Sequence, residues 1–189
     1  VFNGLLAYGL SVLKPKGYQI INGLVMWSLL IPGTVSIVAV FRNINLVGLN
    51  KSFVPLWLAF GANAFYVVLF KQFFEEIPNS LMEAATVEGA GMFTIFTKIV
   101  IPNSIPVMIS AGLMIFMWQW ESFLWPLIVA RNENVRMVQV ALTDFQTQYS
   151  MLWSEMLAAC LVSAAVPIIF LAPLQKYYIQ GIAGAGIKG

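Results

Sequence analysis

Residues 83–102 read EAATVEGAGMFTIFTKIVIP. A Glu-Ala-Ala triplet, glycines at 89 and 91 and a terminal Ile-Pro stand between two strongly apolar stretches. The connection from Lys71 to Lys98 carries Glu75, Glu76, Glu83 and Glu88, four of the eight acidic residues of the chain. That charge keeps it out of lipid, since an ionised group in hydrocarbon is costly. Its pattern is too ordered for a slack linker. Pro78-Asn79-Ser80 predicts a turn. Ser80-Leu81-Met82-Glu83 fits a capping box, with the Ser80 hydroxyl accepting from the N3 amide and Glu83 accepting from the Ser80 amide. The helix so started runs to about Glu88, and Gly89 stops it as a left-handed residue. Gly91 permits a second step, and Met92–Ile99 forms a second helix re-entering the membrane, bent at Pro102. Ala84 and Ala85 make one side of the first helix thin, so another surface can approach its backbone. The same segment could also lie on the membrane as an amphipathic elbow with no partner.

The rest of the chain sets this elbow in a membrane. Of 189 residues 60% are hydrophobic and 10% charged, and the mean hydropathy is +0.83. Soluble domains are about half apolar and a quarter charged. The net charge of +2 is too small to argue for nucleic acid. There is no histidine and one cysteine, Cys160, which rules out an intrachain disulfide and a Cys/His metal site. The apolar runs 17–41, 52–70, 99–130 and 156–175 read as spans, at about 20 residues per crossing. Val1–Leu13 is too short and reads as the end of a truncated span. Absence of strict alternation disfavours a β-barrel, leaving helices, which satisfy their own backbone groups in lipid. Pro32-Gly33, Pro55, Pro167 and Pro173 are expected to interrupt or begin helices. Alternating sides puts Lys14, Lys16, Lys71, Lys98, Lys176 and Lys188 inside and Arg42, Lys51, Arg131 and Arg136 outside, in the sense of the positive-inside rule. The chain is therefore expected to be one all-α membrane domain, with 71–98 and 176–189 on the cytoplasmic side.

Glu83-Ala84-Ala85, three residues, Gly89, nine residues and then Ile99-x-Ile101-Pro102 resemble the EAA loop of binding-protein-dependent ABC-transporter permeases. Only the usual Leu differs, being Ile101 here. IPGTVSIVAVFRNINLVGLN, LFKQFFEEIPNSLMEAA, FLWPLIVA, FQTQYSMLW and QKYYIQGIAGAGIKG extend the likeness over nearly the whole chain. They are similar to the smaller permease of the carbohydrate-uptake branch, of the kind found in the maltose transporter. The resemblance implies the type I importer permease fold, a polytopic helix bundle of six helices, with the first helix and the start of the second absent here. It implies a bacterial or archaeal cytoplasmic (inner) membrane, a second permease, two ABC ATPase subunits, an extracytoplasmic solute-binding protein and a sugar-like solute. ATP and Mg would be bound by the ATPases, and no cofactor by this chain. Glu83, Ala84, Ala85, Gly89, Ile99, Ile101 and Pro102 would couple to the ATPase. Two roles are open for Glu83: capping its helix, or pairing with a basic ATPase residue. The glycine-rich tail from Gln175 would be a second docking site.

For a solute pathway the stretch WQWESFLWP, 118–126, is the densest in aromatic and polar groups. At helical spacing Met114, Trp118, either Glu121 or Ser122, and Trp125 share one face. Flat rings suit the C–H faces of a sugar, and carboxylates or amides its hydroxyls; the tryptophans also fit an interfacial belt. The family usually has Trp-Asn-Asp/Glu at this point, so Glu121 and Ser122 depart from its pattern. Asn63 could face the pathway or bond a neighbouring helix. Glu133, Asp144, Gln146 and Gln148 mark an outer loop that could receive the binding protein or be merely solvated. The chain lacks a phosphate-binding loop ending in Gly-Lys-Ser/Thr, so hydrolysis would fall to another subunit and the chain itself is expected not to be an enzyme. An ion-coupled secondary transporter is the alternative, using buried acids on broken helices, but it has no use for an EAA loop. An intramembrane enzyme would lack the usual bases and nucleophiles.

Overall fold

The computed structural model describes residues 1–49, 52–59, 61–130, 135–145 and 152–174. Among them every regular element is helical, as the apolar runs require. In chain order α1 (Phe2–Tyr8) continues into a π-helical turn, Gly9–Leu13, and α2 is Tyr18–Ser28. Then come α3 (Ile37–Leu46), α4 (Val54–Leu58), α5 (Ala64–Glu76) and α6 (Asn79–Val87). The short α7 (Met92–Ile95) passes through a π-helical turn, Phe96–Val100, into α8 (Ile101–Asn103). Next are α9 (Ile105–Glu121), α10 (Leu124–Val129), α11 (Val138–Ala141) and α12 (Trp153–Leu171).

The expected spans are more broken than hydropathy suggests. Run 17–41 is two helices: α2 ends at Ser28, and Pro32-Gly33 opens a 3₁₀ turn, Gly33–Ser36, ahead of α3. Proline supplies no N–H to extend the first helix. The second runs past Phe41 to Leu46, taking in Arg42, Asn43 and Asn45. Run 52–70 divides into α4, with Pro55 in its first turn, and α5. Between them a β-carbon on Gly61 would stand 2.8 Å from the Trp57 carbonyl oxygen, so only glycine fits. Run 99–130 breaks at Ser104 and again at Ser122-Phe123. The expected interruption at Pro167 is absent: α12 passes through it unbroken, and only Pro173 lies in a closing 3₁₀ turn, Ala172–Leu174. Trp153–Leu174 is the one stretch among the described residues long and apolar enough to cross a membrane alone. The pairs Tyr18–Ser28 with Gly33–Leu46 and Met92–Asn103 with Ile105–Glu121 would raise the number to three.

The chain contacts define two compact units. In the first, Val1–Pro32 with Ala62–Gly112, α1 lies along α5. Ala7 is fully buried at this contact, a small residue that lets the two backbones close up. Around it gather Tyr8, Leu10, Val67, Phe74, Ile77, Met82, Ile95 and Val100. The second unit, Gly33–Gly61 with Leu113–Lys176, has a core of Leu56, Trp125, Val129, Ala130 and Val135, edged by Ile37, Val40, Phe41 and Ile44. Its polar tie is the Trp125 indole N–H, donated to the Pro55 carbonyl at 3.0 Å. Aromatic contacts of Phe116 with Trp120 and Phe170 lie in the same unit.

Trp125→Phe keeps most of the apolar area and orphans the Pro55 carbonyl. The expected loss is about 1–3 kcal/mol, read as a lowered unfolding midpoint in detergent. Trp57→Phe, at a side chain 68% exposed, should change it by less than about 0.5 kcal/mol.

Candidate functional site

The polar connection between α5 and α9 is an elbow packed on the first unit. α5 does not stop at Lys71. It runs on to Glu76, and the Lys71 ammonium bonds the Glu75 carboxylate one turn later at 2.9 Å. Ile77 is extended and buried, and Pro78 turns the chain into α6. Here the capping-box expectation fails. The helix starts at Asn79, Pro78 is its N-cap, and no side chain caps it. The fixed φ of proline and its free carbonyl, which receives the Leu81 amide at 3.1 Å, start the helix one residue before Ser80 could cap it. Glu83, lacking a capping task, is exposed in the middle of α6.

The other end of α6 meets the expectation fully. Gly89 has φ +82°. Its amide bonds the Thr86 carbonyl at 3.0 Å and the Ala90 amide bonds Ala85 at 2.9 Å, the paired bonds of a Schellman stop. No atom lies within 4 Å of a β-carbon built on Gly89, so its requirement is conformational rather than steric. Ala84 is exposed, whereas Ala85 and Ala90 pack against the core of the unit. Met82 is the one buried residue of α6.

After Gly91 the chain turns back through α7. The Tyr8 hydroxyl donates to the Met92 carbonyl at 2.9 Å, and its ring meets Phe96 at 4.8 Å between centroids. The end of α1 thus holds the start of the returning helix. Pro102 does not bend that helix. The turn before it widens to π geometry, with the Ile101 amide on the Phe96 carbonyl, and the Asn103 amide group bonds the Ile99 carbonyl at 2.7 Å. These bonds accommodate the missing proline donor, and the bend, 75°, comes two residues later at Ser104. Ile99 and Ile101 are half-buried and Pro102 is exposed. Between α6 and the end of the first helical stretch lies a groove of about 750 Å³. Tyr8, Val12 and Leu13 form one wall, Met82, Glu83, Thr86 and Val87 the other, and Ala90, Met92 and Ile95 the base.

The pathway residues are less of a group. Asn63 is not mid-helix: it is the N-cap of α5, its side chain accepting from the Phe65 amide at 2.9 Å, and its own amide bonds the Asn3 side chain at 3.0 Å. Both bonds serve helix capping and packing. A small cavity of about 230 Å³ adjoins it, lined also by Asn3, Ser28 and Val67. Trp118 is half-exposed, and Glu121 is the exposed last residue of α9. Ser122 follows it, its amide on the Gln119 carbonyl. Trp125 is 4% exposed and committed to the core; the break at Ser122-Phe123 removes it from the shared face expected for one continuous helix. Asp144 is ion-paired to Arg136. Glu133, Gln146, Gln148 and the tail from Gln175 lie outside the described residues. The Tyr8–Met92 tie and the Ser104 bend were missed in the sequence, the first because it joins residues 84 apart.

Set against known proteins, residues 2–183 match the family described as binding-protein-dependent transport system inner membrane component. The chain belongs to that family. A probable ABC transporter permease protein of Bacillus subtilis is 31% identical over 97% of this chain and 62% of its own length. The glucose import system permease protein of Saccharolobus solfataricus is 29% identical over 97% of the chain and 66% of its own. The arabinooligosaccharides transport system permease protein of Bacillus subtilis is 28% identical over 100% and 67%. The chain thus spans about two thirds of the length of these relatives.

Gly89→Ala should cost about 1–2 kcal/mol, the penalty of a left-handed L-residue. Deuterium exchange of the Gly89 and Ala90 amides should quicken accordingly. Gly91→Ala, at φ −72° and with open space around it, should leave exchange unchanged.

Proposed function

We propose that the chain is a pore-forming permease subunit of an ATP-driven importer for a sugar or related solute. It forms half of the translocation pathway, and the elbow is where an ABC ATPase takes hold. The observation that carries this reading is α6 itself: a stopped surface helix whose Ala84 side is thin and open while Met82 and Ala85 fix it to the membrane unit. Family membership and the names of the sugar permeases among its relatives support the solute class. Catalysis belongs to the partner: ATP and Mg bind the ATPase, and this chain supplies no catalytic group. A second permease completes the pathway and an extracytoplasmic binding protein delivers the solute. The chain works in the cytoplasmic membrane of a bacterium or archaeon and crosses it several times.

Within this reading Glu83 pairs with a basic residue of the ATPase, since its own helix starts without it. Gly89 holds the lever's stop, and Ile99, Ile101 and Pro102 carry its motion into the membrane. Trp118, Glu121 and Ser122 line the pathway at the end of α9. Among the described residues Glu121 has no salt-bridge partner, and a carboxylate at a helix C-terminus is disfavoured by the helix dipole. A solute hydroxyl or a partner subunit would offset that. Asn63 serves packing first, with the adjoining cavity as its only route to a solute.

Ala84→Trp should leave insertion and folding intact, because the site is exposed, and weaken ATPase association at least about tenfold, abolishing uptake into proteoliposomes. Glu83→Gln should leave amide exchange of α6 unchanged and weaken association severalfold. Gradient-driven uptake with no ATPase subunit present would overturn the whole reading in favour of an ion-coupled carrier.

A further inference from the structure

The Ser104 hydroxyl is the buried side-chain polar atom without a hydrogen-bond partner among the described residues. Ser104 is 1% exposed, and a native group so placed demands a reason. Hydroxyls on either side find carbonyls one turn back: Thr97 bonds Phe93 at 2.9 Å and Ser110 bonds Pro106 at 3.0 Å. Ser104 does not, although its amide reaches both the Val100 and Ile101 carbonyls, at 3.1 and 3.0 Å.

Its backbone explains the difference. At φ −102° and ψ 8° Ser104 is neither helical nor extended, and it stands at the 75° bend ahead of α9. Serine is a favoured helix N-cap, but a cap needs extended ψ, so that its oxygen meets the amide of the second or third helical residue. The second residue of α9 is Pro106, which has no N–H. Only the Val107 amide is left, and ψ must rotate to reach it. That rotation leaves the Ser104 amide and its two bonds in place, because the amide lies in the peptide plane upstream of the rotating bond. It re-aims the segment Met92–Asn103 relative to α9.

We infer that Ser104 is a positioning residue forming a two-state joint. In the bend seen here its hydroxyl is orphaned; in the second state it caps α9 through the Val107 amide. The returning arm of the elbow thereby has two set angles rather than a continuous range. The inference rests on the coupling reading only in naming ATPase closure as the force that switches the joint.

The test uses the full-length permease assembled with its partners. Nitroxides are placed at Lys98→Cys and Gly112→Cys, both exposed, with other cysteines replaced, and distances are measured by pulsed EPR. Two distances should be present, exchanging weight between nucleotide-free and ATP-bound complexes. Ser104→Ala removes the orphan from the bend and the cap from the other state. It should shift the nucleotide-free ratio toward the bend about tenfold, and Ser110→Ala should not. A single distance in every state of the unmutated protein overturns the joint, as does an equal effect of the two alanine variants. A Ser104→Ala shift with no response to nucleotide supports the joint and overturns the coupling reading instead.

Discussion

The burial of Met82 is the contact on which the elbow depends. α6 is nine residues long and lies in a polar connection, and helices this short are marginal alone. Met82 places its side chain in the same cluster as Tyr8, Ile95 and Val100, joining the first helical stretch, the surface helix and the returning helix. A buried methionine of this kind is worth about 1.5–3 kcal/mol. The Schellman stop at Gly89 then fixes where the chain reverses, and the Tyr8 hydroxyl fixes where it resumes. A force on α6 therefore meets a body held at three points, while its solvent side keeps Glu83, Ala84 and Val87 free of that task.

The same economy explains why several polar groups sit where the helices break. Asn63 caps α5, Ser104 sits at the bend, and Ser122 follows the end of α9. In lipid an unsatisfied backbone group costs several kcal/mol. A helix can break there only where side chains or altered turns take over the bonds. The π turns at Gly9–Leu13 and Phe96–Val100 are the second device, spreading a missing or displaced donor over a wider turn. Hydropathy records the apolar length of a span and is blind to both devices.

That is why the sequence was legible at some points and not at others. Gly89 was readable because a helix commonly stops on a residue of positive φ, which glycine adopts at little cost. The all-helical class followed from the apolar runs and the lipid constraint. The start of α6 was misread because Pro78 and Ser80 both signal a beginning two residues apart, and the proline, already in place on the buried Ile77, decides first. Pro167 was misread the opposite way: within a long apolar helix a lost hydrogen bond need not end the element. For the pathway, the shared face of Trp118 and Trp125 assumed an unbroken helix, and the core's claim on Trp125 through the Pro55 carbonyl is a contact 70 residues apart that no local pattern reveals.

A lever transmits force only if it is stiffer than the joint it turns. The cluster around Met82 makes 77–100 stiff, with Ile77, Ile95 and Val100 all buried. Just beyond Val100, Ile101 is half-buried and Pro102 and Asn103 are exposed, and at Ser104, itself buried, the chain turns. The proposed joint thus sits immediately past this packed body. Motion imposed on α6 would be delivered to α9 by rotation at one residue rather than dissipated along the elbow. The placement of one buried, partnerless hydroxyl at that residue, between Pro102 and Pro106, gives the proposed joint its chemical identity.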